Sequence, residues 1–428
     1  MLKRTDKSLR NLVMYSIWLR NHSDEGNFDG VKRDLDRIKK LGVDIIWFLP
    51  IHPIGEVARK GLLGSPYAVR DYRAVNPEFG TLEEFRTLVD EIHRRDMKCI
   101  IDVVFNHTSP DSWLAKNHPE WFYRNEHGSL GNKVGEWPDV IDLDYGHKRL
   151  WDYQIETLKY WAEIVDGFRC DVAPLLPLEF WIRAREEVEK VRQGCLWLAE
   201  SVEPVFTIEN RARGFISLSD SELYQAFDIC YDYDVHAYFK GYLTGHNTLA
   251  DYAAKINQQE AVYPDDYVKL RYLENHDQPR ATSIIVGDVA LRNWTAFVYF
   301  QKGTTLIYAG QEKGDDNRPS LFDKDPVNWR RGSDLVDLMA KLYVIKKDPL
   351  LTDSSYQVRA IGNDILYATH SKGQYRLHGV FCVGGTGGSV EVKAVDGAYK
   401  NLLDESEIMV QAGRLVCGGQ PLVFASTC

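Results

Sequence analysis

LVMYSIWL (12–19), FDGVKRDLDRIKKLG (28–42) and VDIIWFLP (43–50) decide the architecture of this chain: an apolar run, an amphipathic run of helical period, then a second apolar run. Short buried strands separated by amphipathic helices require a parallel sheet with helices outside it. The pattern repeats. TLEEFRTLVDEIHRRD (81–96) carries a capping box, Thr81 with Glu84, and leads into MKCIIDVVF (97–105); Gly42 stands where the preceding helix needs its C-cap. A helix is expected around 148–165, followed by DGFRCDV, the helical LEFWIRAREEVEKV, and CLWLAE. ELYQAFDICYD, YVKLRYLENHD and TTLIYAG complete the series, so that strands start near 13, 43, 98, 166, 195, 223, 268 and 304. Eight such strands predict an α/β fold of the closed (β/α)8 TIM barrel type, whose functional groups gather at the C-terminal strand ends.

Two regions break the alternation. Residues 108–147 hold Trp113, Trp121, Phe122, Tyr123, Trp137 and Tyr145 among turn formers, and read as a small excursion domain after the third strand. Its tryptophans suit either a mini-core or a sugar platform. From 352 to 428 the helical period stops, and DILYATH, YRLHGVFCV and SVEVKAV alternate apolar and polar residues between turn signals, predicting a C-terminal β-sandwich domain. The barrel is thus expected to use 1–107 and 148–351.

Composition narrows the function. A net charge of −10 argues against a nucleic-acid partner, which needs a basic surface. The apolar stretch NLVMYSIWL is too short to span a bilayer, so no membrane partner is expected. The seven cysteines form no CxxC pair, and Cys99, Cys170, Cys195 and Cys230 sit inside apolar runs, which fits buried thiols in the cytoplasm. Nothing in the pattern fixes an oligomeric state.

Charge collects at the strand ends. DVVFNH ends in Asn106 and His107; GFRCDV carries Arg169 and Asp171; CLWLAE ends in Glu200; YLENHD ends in Glu274, His276 and Asp277. Strand residues two apart share a face, so Arg169 and Asp171 point into one space. Charge repeated at one rim of a barrel is costly unless it is used. The chemistry such groups support is cleavage at an acetal, in which a retaining glycosidase sets two carboxyls about 5–5.5 Å apart. Asp171 and Glu200, on neighbouring strands about 4.8 Å apart, can meet that separation. Arg169 is expected to keep Asp171 ionised, and crowding by other carboxylates to raise Glu200 until it carries a proton near neutral pH.

DVVFNH (102–107), GFRCDVA (167–173), LAES (198–201) and ENHD (274–277) resemble, in order, the four sequence regions of the α-amylase family, glycoside hydrolase family 13. SPYAVRDYRAVNPEFGT (65–81) and GTTLIYAGQE (303–312) resemble its second-strand loop and eighth-strand motif, and the likeness covers residues 12 to 330. The resemblance implies that Asp171 is the nucleophile, Glu200 the general acid and base, and Asp277 a third carboxylate that stabilises the transition state. It also implies that Arg169, His107 and His276 bind the sugar and that Tyr67 stacks beneath it, although Tyr67 could instead be loop packing. Asp102 reads as structural, and Glu274 takes no role.

The resemblance further implies that Asn106 and Asp142 are calcium ligands. Where many members carry a Lys or His after the nucleophile region, however, this chain reads Ala173, Pro174, Leu175, Leu176. No cofactor is expected for the chemistry, and the calcium set is short of a position. The expected substrate is an α-glucan or maltooligosaccharide, hydrolysed. A transglycosylase of the same family would use the same carboxylates, and a non-catalytic binding or scaffold protein would be expected to lose one of them. The short excursion leaves substrate length open.

Overall fold

The computed structural model describes residues 4–135, 137–330, 332 and 334–427. Eight strands form the closed barrel: β1 Val13–Ile17, β2 Ile45–Phe48, β3 Lys98–Val103, β4 Gly167–Cys170, β5 Leu196–Ala199, β6 Ile229–Tyr231, β7 Lys269–Arg271 and β8 Thr304–Tyr308. Every neighbouring pair is parallel, and β1 closes on β8 with Val13 opposite Thr305. The expected alternation is therefore the observed one, with one correction. The sixth strand starts at Ile229 rather than near 223, because Ser219 and Glu222 form a capping box that winds Asp220–Leu223 into a helical turn.

Local rules account for the helices that wrap the barrel. Phe28–Lys40 is capped by Asn27, whose side chain accepts from the Gly30 N–H, and it ends before Gly42 at φ +85°. Leu82–His93 begins with the Thr81–Glu84 capping box. The buried faces of these helices and the outward faces of the strands make one core, in which Trp161, Trp181, Trp197 and Trp294 are fully buried.

Between β3 and the helix Lys148–Ala162, a short ladder pairs His107–Thr108 with Ile141–Asp142 and seats the excursion on the barrel rim. Its aromatic residues divide. His118 stacks on Trp121 at 3.8 Å and Trp113 stacks on Tyr153 at 5.6 Å, a mini-core, whereas Trp137 packs against His107.

After the barrel, Ser355–Ile361, Ile365–Lys372, Tyr375–Phe381 and Leu422–Thr427 form a four-stranded antiparallel sheet. Two hairpin-like pairs, Gly388–Glu391 with Arg414–Cys417 and Gly397–Lys400 with Glu407–Val410, cover its far face over a second core containing Val380, Val410 and Phe424. No helix among the described residues is long and apolar enough to cross a membrane.

Candidate active site

Register places the two central carboxyls. In the β4–β5 ladder Cys170 lies opposite Ala199, and the pairing continues as the Glu200 N–H donates to the Cys170 carbonyl at 3.0 Å. Asp171 and Glu200 therefore emerge side by side at the C-terminal rim, one residue beyond each strand. Arg169 faces the barrel interior between them, fully buried. One of its terminal nitrogens donates to Asp171 at 2.8 Å and to both Asp102 oxygens at 2.8 and 3.0 Å, and the other lies 2.7 Å from Glu200 Oε1. One guanidinium thus serves three acids, and the rings of Trp47, Tyr67 and Tyr231 surround it at 5.4 to 5.7 Å.

The remaining rim residues converge on the same place. His107 Nε2 lies 3.9 Å from Asp171 Oδ2. His276 Nε2 is 3.0 Å from Asp277 and 2.7 Å from the Tyr67 hydroxyl, and the Tyr67 ring stacks on His276. Tyr67 also donates to Asp102, so its position is fixed from both sides. Asp171, Glu200, Asp277, Tyr67, His107 and Trp137 line one cavity of about 360 Å³. A larger cavity of about 610 Å³ lies far away, beside Tyr375 and Tyr399 of the C-terminal sheet, and gathers none of these acids. Convergent polar groups in a cleft identify the smaller one as the site.

Glu274 does not join it. Its carboxylate is held by Arg280 at 2.6 Å and by the Ala281 N–H at 2.6 Å, which makes it a strut beneath the loop that carries Asp277.

Two features had no signal in the sequence reading. Val172, a β-branched residue, stands at φ +35° and ψ +46°, a left-handed conformation that favours glycine. That strained geometry aims its N–H at Glu200 Oε2, 2.7 Å away. The second is Lys60, whose ammonium pairs with the buried Asp139 at 2.8 Å in the wall of the same cavity.

The electrostatics correct one expectation. Burial raises Asp171 to about 6 despite Arg169, so the arginine limits the rise rather than holding the acid at its ordinary value. Burial raises Glu200 further, to about 8; Arg169 opposes this, while Asp171 and Asp277 add to it. Crowding is therefore secondary to desolvation. Burial also disfavours charge on Asp277, whose side chain is 41% exposed in the cleft, but His276 outweighs it and Asp277 ends below the usual carboxylate range. His107, buried, falls to about 4 and stays neutral. The order is what acid–base division needs: Asp171 loses its proton before Glu200 does.

The residues named for calcium do not fit it. Asp142 Oδ2 accepts from the Lys133 N–H at 2.7 Å, and Oδ1 accepts from Asn132 at 3.2 Å and Asn106 at 3.4 Å. The half-buried Lys133 donates from its ammonium to the Leu143 carbonyl at 3.0 Å and places a positive charge beside Asp142 and Asp144. Among the described residues, Asn106 Oδ1 is the one buried side-chain acceptor left unpartnered at this corner, against the six to eight oxygens that calcium takes. Among the described residues, no three acidic, histidine or cysteine groups cluster to hold a metal.

A closed (β/α)8 barrel with three acids and a buried arginine at its C-terminal mouth defines a class of carbohydrate-active barrel proteins. This chain belongs to the α-amylase family: the family's catalytic-domain model matches residues 16–127 and 134–357, and the bacterial α-amylase C-terminal domain model matches 357–424. Among solved structures, an α-amylase from Lactobacillus plantarum is 48% identical, with a TM-score of 0.96 over 98% of this chain and 100% of the other. A noncanonic maltogenic α-amylase, AmyB of Thermotoga neapolitana, is 31% identical with a TM-score of 0.86 over the same shares. The α-amylase MalA of Haloarcula japonica is 24% identical over 377 residues, 81% of this chain but 51% of that protein. The chain spans about half the length of the first curated relatives it matches.

Proposed function

We propose that the protein is a retaining glycosidase that hydrolyses α-glucans or maltooligosaccharides through a covalent glycosyl-enzyme. Asp171 attacks the anomeric carbon while Glu200 protonates the departing glycosidic oxygen, whose bond to that carbon breaks. Glu200, now ionised, then takes a proton from water, which displaces the sugar from Asp171. Asp277, His276, Arg169 and His107 hold the sugar, and Tyr67 packs beneath it. The observation that carries this reading is the single Arg169 guanidinium, 2.8 Å from Asp171 and 2.7 Å from Glu200 on adjacent strands, which supports the two acids acting on one anomeric carbon. The maltogenic activity named for the Thermotoga relative supports the choice of substrate.

The chemistry runs on these side chains alone, with no cofactor, and Lys133 supplies locally the positive charge that calcium would bring. We place the enzyme in the cytoplasm, on the strength of six free, buried cysteines among the described residues. The test is incubation with maltooligosaccharides, isomaltose, sucrose and trehalose, wild type beside Asp171→Asn, with products separated by chromatography and their first-formed anomer read by NMR. The α anomer is expected, with turnover abolished in the variant. Near-full turnover by Asp171→Asn, or a first-formed β anomer, overturns the reading. Longer sugars in place of shorter ones would mark a transglycosylase.

A further inference from the structure

Lys60 and Asp139 lie on separate segments, the first on the loop after β2 that also carries Tyr67, the second in the excursion. Their ion pair at 2.8 Å joins those segments across the wall of the active-site cavity. The same loop is tied on its other side to the segment after β8, since the Leu63 N–H donates to the Phe322 carbonyl at 3.0 Å and the Leu62 N–H to Asp323 at 2.8 Å. The Lys60 ammonium also lies over the Phe322 ring at 5.9 Å. Three segments thus make a continuous wall with this pair as its clasp.

Barrel order says which side the wall closes. Glu200 follows β5, on one side of Asp171, and as the proton donor it marks where the leaving group sits. His107 follows β3, on the other side of β4. The clasp belongs to the His107 side: Asp139 lies in the excursion, whose Asp142 pairs with His107 and whose Trp137 packs against the His107 ring, and the clasped segments follow β2, β3 and β8, away from β5. It therefore stands on the glycone side, away from the leaving group.

We propose that the Lys60–Asp139 pair closes the glycone side of the cleft, so that the enzyme takes sugar from the non-reducing end of a chain rather than from its interior. The inference rests on the glycosidase reading and adds the substrate class to it. A terminal sugar has free hydroxyls that Lys60 can donate to and Asp139 can accept from. A chain running on past that point must part the pair and strand a buried carboxylate. The 35% exposure of the Lys60 side chain leaves its ammonium reachable from the cavity.

The test uses maltoheptaose labelled at its reducing end, with the non-reducing end either free or blocked as a 4,6-acetal. Wild type is compared with Lys60→Ala/Asp139→Ala, a double variant that leaves no stranded acid. Wild type is expected to consume the free-ended sugar at least about tenfold faster, shortening it from the unlabelled end, while the double variant brings the two rates together by lowering KM for the blocked sugar. Equal wild-type rates, with internal fragments from both sugars, overturn the proposal and leave the glycosidase reading standing. A double variant that keeps the wild-type preference removes the clasp as its cause. Turnover of neither sugar by folded wild type defeats the glycosidase reading, and this inference with it.

Discussion

Two buried arginines on barrel strands meet opposite fates. Arg169 on β4 turns inward, shares its guanidinium among Asp102, Asp171 and Glu200, and faces a cavity. Arg271 on β7 turns outward, gives two hydrogen bonds of 2.8 Å to Asp232, one to Gln259 at 2.8 Å and one to the Lys302 carbonyl at 2.9 Å. Its neighbour two residues back, Lys269, is fully buried between Asp220 and Asp234. In the outer network each cation sits among carboxylates within packed protein, and the charges bind strand to helix. In the inner one the acids open onto space for a ligand. Buried charge by itself does not make a site; buried charge facing a cavity does.

The largest expected break in that comparison is Asp171→Asn, which should lower kcat by about 10⁴-fold or more while the thermal midpoint holds or rises. Steady-state kinetics beside calorimetry check it. Glu200→Gln should cost about 10³-fold with an unactivated leaving group, and it should change the pH profile. Activity needs Asp171 ionised and Glu200 protonated, so kcat/KM should fall as pH drops through about 6 and again as it rises through about 8. In Glu200→Gln the alkaline limb should vanish and the acid limb remain.

The outer network should answer in the opposite way. Arg271→Leu strands Asp232 in the wall and should cost about 3–5 kcal/mol of unfolding free energy, with kcat per folded molecule within about twofold of wild type. Arg271→Met/Asp232→Leu should regain most of that loss, as denaturant titration would read. The smallest effect is expected at Val172→Gly, where relief of the left-handed strain and the added chain entropy nearly cancel, leaving a change within about 1 kcal/mol.

The same comparison shows what could be read from the residues. The alternation of apolar and amphipathic runs specified the barrel, because strand and helix periods are local properties. The strand-end acids were legible for a similar reason, as charge where a buried strand should be apolar. Yet Lys269 and Arg271 carry the same spacing of two as Arg169 and Asp171. Period two tells which side chains share a face, not which face looks inward. The sixth strand was misplaced where a capping box competed with an apolar run. Val172 and the Lys60–Asp139 pair were silent, since one depends on a backbone angle and the other on two loops meeting, neither of which leaves a pattern along the chain. Calcium was implied by Asn106 and Asp142, but nothing along the chain reveals that Lys133 folds its ammonium into that corner.

The central claim is that the acid beside Arg169 forms a bond to sugar. A fluorinated α-glucosyl fluoride that attaches faster than it is released should leave one glycosyl mass on the enzyme, and peptide mapping by mass spectrometry should find it on Asp171. Label on a different side chain, or an enzyme that turns over the reagent without ever holding it, would contradict the account.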